Sequence, residues 1–181
     1  MNTLSISAFW LSISVAVASV FVLHISQKAD RDIPKRAVKE INKTFDVSES
    51  LLSPVLTQNV AGIDKAHLLR VSKDGILLGY AYLGEAPSKT DSFEYLVVFD
   101  TDYFIKKTKV LVYREDYGGE IGSKRWLRQF FNKTPMDRFA YRQNIAAISG
   151  ATISVKSMTQ SMNNLMISLA SWRKDGEPYK L

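Results

Sequence analysis

The apolar positions of this chain change rhythm several times between its ends. Residues 4–25 (LSISAFWLSISVAVASVFVLHI) hold no charged side chain, and about 20 apolar residues suffice to cross a bilayer as a helix. Residues 32–45 then place Ile33, Ala37, Ile41 and Phe45 at every fourth position, the narrow stripe of an amphipathic helix. Pro34 falls in the first turn of that helix, where a missing N–H costs nothing. Residues 48–62 are polar and irregular and include Pro54; they predict a loop with a short helical turn.

A strand-rich stretch follows. Residues 67–72 and 76–83 flank Lys73, Asp74 and Gly75, and Asp-Gly between apolar runs signals a hairpin. Residues 86–92 read as a Pro/Ser/Thr connection. Two more strands, 93–99 and 107–113, are joined through Asp100, Thr101 and Asp102. Several strands linked mostly by short turns imply a mainly antiparallel sheet. Residues 117–122 (YGGEIG) are a glycine-punctuated loop, after which Ser123 is placed to cap a short helix that buries Trp126, Leu127, Phe130 and Phe131. Residues 135–144 are connection. Residues 153–172 form a long helix with Val155, Met158, Met162, Leu165, Met166 and Leu169 on one face, a stripe that reads as core packing.

The expected fold class is therefore α+β, a mainly antiparallel sheet flanked by helices, preceded by one N-terminal transmembrane helix. The expected divisions are an anchor over 1–27, a helix and connecting loop over 28–62, and one domain over 63–181. Hydrophobic residues make up 46% of the chain and charged residues 23%, which are globular proportions and argue against wholesale disorder.

Composition removes several chemistries. With no cysteine there are no disulfides, Cys-ligated iron–sulfur clusters, CxxCH haem attachments or thiol nucleophiles. The only two histidines are His24, inside the apolar run, and His67. A Ser–His–Asp triad or a His-based zinc site would rest on His67 alone, which reads better as a polar residue leading into a strand. The net charge is +6, and from Asp102 to Arg142 ten Lys and Arg face five acids. That surplus suits phosphate groups or an anionic membrane face, while the interspersed acids argue against a nucleic-acid-binding surface.

For the apolar run, a cleaved signal peptide competes with an uncleaved anchor. The leading residues Met1, Asn2 and Thr3 supply no Lys or Arg, and the run exits through His24, Ile25, Ser26 and Gln27 with no small-x-small site. An uncleaved single span is the better reading. Lys28, Arg31, Lys35 and Arg36 follow it, and the positive-inside tendency would leave the following domain in the cytoplasm.

One stretch carries chemistry: Ser149, Gly150, Ala151 and Thr152, at the entry to the last helix. Glycine permits a tight turn and close approach. Alanine leaves space beside it. Thr152 presents a hydroxyl at a helix N-terminus, where free N–H groups and the helix dipole favour an anion such as a phosphate. The plain alternative is that Thr152 or Ser154 is only an N-cap.

The tetrapeptide resembles the S/T-G-A-T flavinylation motif of the FMN-binding domain family, which includes peripheral subunits of the Rnf and sodium-translocating NADH:quinone reductase complexes. In that family the last Thr receives FMN through a phosphodiester bond, made from FAD by a separate Mg-dependent flavin transferase. The order of elements is similar too: an N-terminal span, a strand-rich half, a Gly-rich loop (118–122), a short helix with Gln129–Phe130, and the motif opening a C-terminal helix. The likeness runs over about residues 68–170.

The resemblance implies covalent FMN on Thr152, with Ser149, Gly150, Ala151, Gly118 and Gly119 lining it and a basic residue such as Lys124 or Arg142 beside the phosphate. It implies an electron carrier, not a stand-alone catalyst, that works with a flavin transferase and with redox partner proteins of a membrane electron-transfer chain. It also places the domain on the outer side of a bacterial cytoplasmic membrane, against the charge bias after the span. One position departs from the family pattern: the Asp usual three residues before the Ser is Ala146 here. A membrane-anchored scaffold of the same fold that has lost covalent flavin therefore stands as the alternative.

Overall fold

The computed structural model describes residues 33–55 and 68–174. The expected span over 4–25, both histidines and most of the second half of the 48–62 segment lie outside these residues. Among the described residues, no helix is long and apolar enough to cross a membrane.

Helix α1 runs from Lys35 to Phe45, with Pro34 at its N-cap position and Asp46 in a left-handed conformation closing it. Its stripe buries Ala37 and Ile41 completely. Strands β1 (Leu51–Pro54), β2 (Leu68–Lys73), β3 (Ile76–Pro87), β4 (Ser92–Phe99) and β5 (Ile105–Val112) follow. They form one five-stranded sheet in sequence order, and every neighbouring pair is antiparallel. The sheet is larger than expected, because the loop predicted over 48–62 contains β1. That strand is short and ends at Pro54, which an edge strand tolerates because it pairs on one side only.

The hairpin between β2 and β3 closes on Lys73 opposite Ile76. Asp74 and Gly75 both have positive φ, 51° and 80°, the pair of left-handed residues that a tight turn matched to strand twist needs. Strand β3 also runs on through Ala86 and Pro87, opposite Phe93 and Ser92, so the expected connection over 86–92 shrinks to the turn between them.

Both faces of the sheet are covered, which explains why β4 is buried from Tyr95 to Phe99 without interruption. Phe93, Tyr95, Val97 and Phe99 point into the main core, where they join the apolar stripe of the last helix. The alternate residues Leu96 and Val98 are fully buried yet belong to neither that cluster nor solvent. They lie on the face that α1 covers, as the ion pairs from α1 to the sheet show: Arg36 to Glu94 at 3.2 Å and Glu40 to Lys107 at 2.5 Å. The lysine beside it, more than burial, holds the Glu40 carboxyl below its ordinary range.

After β5 the chain makes a 3₁₀ turn (Gly119–Gly122), helix α2 (Lys124–Leu127) and a second 3₁₀ turn (Arg128–Phe130). The Ser123 hydroxyl accepts from the Trp126 N–H at 3.2 Å, the cap its position implied. Trp126, Leu127 and Phe130 are buried, but Phe131 is 52% exposed. Its backbone turns extended (φ −63°, ψ 139°), which swings the side chain off the helical face and corrects the expectation that it packs inside. Helix α3 (Thr152–Lys174) buries all six members of its stripe. Each such side chain contributes about 1.5–3 kcal/mol relative to exposure, so this helix is held to the sheet chiefly by Val, Met and Leu.

Candidate functional site

The entry to α3 is shaped by three backbone features. Gly150 has φ +77°, the left-handed turn that lets the chain reverse into the helix. The Ala151 N–H then bonds the Ile148 carbonyl at 3.2 Å, and the Ala151 carbonyl accepts the Val155 N–H at 2.9 Å. That second bond is the first of the helix, so Ala151 is the N-cap residue. Neither Thr152 nor Ser154 fills that role. Alanine has no side-chain acceptor, and the N–H groups of the first turn are left facing outward.

Thr152 is the first helical residue. It is exposed, and its hydroxyl has no partner among the described residues. Ser154, by contrast, is 2% exposed and shares a 3.1 Å hydrogen bond with the Tyr113 hydroxyl. The same hydroxyl donates to the Tyr117 carbonyl at 3.2 Å. Tyr113 thus ties the end of β5, the glycine loop and α3 together.

Gly118 is the contact between that loop and the motif. Its φ is +79°, and a Cβ built on it would stand 2.4 Å from the Ala151 Cβ. No side chain fits there. Gly119 differs: a Cβ at that position would meet nothing within 4 Å, so close approach is not what requires glycine at 119.

Beside Thr152 lies a cleft of about 340 Å³. It is lined by residues 150–154 together with Tyr113, Glu115, Tyr117 and Lys89. Tyr117 is 78% exposed and Ile153 is 50% exposed, so a flat aromatic ligand would find apolar surface at each. Glu115 is anchored: one carboxylate oxygen accepts from the Thr90 N–H at 2.7 Å, the other from the Thr90 hydroxyl at 3.0 Å. Hydrogen bonds from the Ser88 side chain and from Thr90 pull its pKa down to about 2.

Of the residues singled out from sequence, the structure brings Gly150, Ala151 and Thr152 to the cleft and sets Gly118 directly behind Ala151. Ser149 and Gly119 are exposed and do not line it. Neither Lys124 nor Arg142 is among the lining residues; Arg142 lies over the Tyr141 ring instead. The cation at the cleft is Lys89, which sequence reasoning passed over inside a connection. Tyr113, Tyr117 and Glu115 were also missed, since only the folded sheet brings them beside the motif.

The segment before the motif is held from the short helix. The Gln129 side chain accepts from the Ala146 N–H at 2.6 Å and donates to the Trp126 carbonyl at 2.7 Å. The Trp126 indole donates to the Ala146 carbonyl at 2.8 Å. Both backbone groups of Ala146 are therefore fixed, whatever its side chain.

The donor set and the shape fit FMN. A free hydroxyl and outward N–H groups suit the phosphate, a cation is among the lining residues, and the exposed Tyr117 suits an aromatic ring. Comparison with known proteins agrees. The family model for the FMN-binding domain matches residues 89–166, a span that includes Lys89, β4, β5, the glycine loop, the motif and most of α3. No curated protein matches the chain. Over residues 89–166 this chain is thus similar to the FMN-binding domain family.

Proposed function

We propose that this protein is a membrane-anchored flavoprotein that carries FMN on Thr152 for electron transfer outside the cytoplasm. The observation that carries the reading is the state of Thr152: an exposed, unpartnered hydroxyl at the first position of α3, in the cleft of a domain similar to this family. The bond would form between Thr152 Oγ and the FMN phosphorus of FAD, supplied by a separate flavin transferase. The pyrophosphate bond breaks, AMP leaves, and the hydroxyl proton passes to a base of the transferase. When bound, the flavin supplies the redox chemistry. The chain's own part is to anchor the phosphate at the start of α3, hold the motif against Gly118, and offer Tyr117 and Ile153 to the ring.

The apolar run over 4–25 supports a single membrane span. The likeness to Rnf-type and sodium-translocating NADH:quinone reductase subunits supports redox partners in a membrane complex and a domain on the outer face of a bacterial cytoplasmic membrane. Co-expression with a flavin transferase should give a yellow protein whose colour survives acid precipitation, and Thr152→Ala should give a colourless pellet. A reporter fused after residue 25 tests the sidedness; a cytoplasmic readout would contradict it.

Ala146 favours a second reading, a scaffold of the same fold without covalent flavin. Its test is Ala146→Asp. If only that variant becomes yellow beside a colourless wild type, the natural chain is the scaffold.

A further inference from the structure

The cleft beside Thr152 contains one positively charged side chain among its lining residues, Lys89. Two further cations, Arg114 and Lys156, are engaged elsewhere. Arg114 donates to Glu94 at 2.7 Å and lies 3.8 Å from Asp91. Lys156 sits over the Tyr141 ring. Lys89 has no carboxylate partner among the described residues, although Glu115 lines the same cleft.

The turn that carries Lys89 is built to hold still. The Ser88 N–H donates to the Asp91 carbonyl at 2.7 Å, and the Ser88 hydroxyl lies 2.7 Å from the same oxygen. Thr90 is clasped by both oxygens of Glu115. Glu115 thereby holds the turn through both carboxylate oxygens, and it forms no ion pair with Lys89 among the described residues. A lysine side chain carries several rotatable bonds, and fixing its backbone lowers the ordering cost of placing its charge.

We infer that Lys89 is the cation that pairs with the phosphate group of the flavin nucleotide in this cleft, with Glu115 holding its turn. This rests on the cleft being the FMN site, and it names the specificity device of that site: a phosphorylated flavin is preferred over a neutral one. Lys89 is exposed, so the pairing is screened by salt. A charge-assisted contact in such a half-open position corresponds to about a ten-fold preference.

The test uses the full chain in detergent, produced without flavin transferase, and titrates it with FMN and with riboflavin by fluorescence quenching. Wild type is expected to bind FMN about ten-fold more tightly than riboflavin, with the difference shrinking as salt rises. Lys89→Ala should lose that preference while keeping its riboflavin affinity, which reports an intact cleft, and Lys89→Arg should retain it. An unchanged FMN-to-riboflavin ratio in Lys89→Ala overturns the assignment, as does a wild type with no preference. Either result leaves the carrier reading standing if Thr152 still acquires flavin from the transferase. If the wild type neither binds FMN nor acquires it, both fall.

Discussion

Gly118→Ala is the substitution that best measures how the glycine loop supports the motif. Two costs can be read from the geometry. The backbone at 118 has φ +79°, and holding an L-residue there costs about 1–2 kcal/mol. The new methyl would stand 2.4 Å from the Ala151 Cβ, 3.1 Å from its Cα and 3.2 Å from the Tyr113 hydroxyl. Relieving that overlap means moving backbone, at about 1–3 kcal/mol. Alanine restricts the unfolded chain and returns about 0.4–1 kcal/mol. The net loss is about 1–5 kcal/mol, which for a chain of this size lowers Tm by roughly 2–20 °C. Urea denaturation and a thermal scan give the number. Pairing the change with Ala151→Gly separates the two costs, because removing the Ala151 methyl relieves the overlap but leaves the φ penalty. The double variant should recover about 1–2 kcal/mol relative to the sum of the single changes. A Gly118→Ala protein within about 0.5 kcal/mol of wild type, or a cycle with no coupling, would refute the packing of loop on motif.

Glu115 gives a pH signature. Its carboxyl is lowered from 4.5 to about 2 in the fold, so the stability it contributes is complete above pH 4.5 and is lost as pH falls toward 2. Glu115→Gln should therefore flatten the acid arm of the stability curve in that window, while its curve near neutrality keeps the wild-type shape; an unchanged acid arm would mean the Thr90 contacts are not made. Gln129→Ala removes the acceptor for the Ala146 N–H, and the loss should be about 1 kcal/mol in denaturant unfolding. Because the freed segment leads straight into the motif, the fraction of chain carrying flavin should fall as well, and full loading would show that this clamp does not serve the site.

Much of the fold was legible because its signals are local. The α1 stripe, the Asp74–Gly75 hairpin and the Ser123 cap each depend on residues adjacent in sequence, and so does the stripe of α3. Strand β1 was not legible: its four residues include Pro54, and its partner β2 lies beyond a long intervening segment. Phe131 was misread because a helical period was carried past the point where the backbone turns extended. At the site, the motif itself stood out through its residue types. Lys89, Tyr113 and Glu115 did not, since a turn lysine, a strand-end tyrosine and a loop glutamate look ordinary until the antiparallel sheet sets the β3–β4 turn beside the end of β5.

The central claim is that Thr152 carries FMN, and intact mass spectrometry of the chain co-expressed with a flavin transferase tests it most directly. Wild type should gain the mass of FMN less one water, and fragmentation should place the addition on Thr152, with Thr152→Ala remaining unmodified. An unmodified wild type under conditions that load a member of the family, or an addition that persists in Thr152→Ala, would contradict the account.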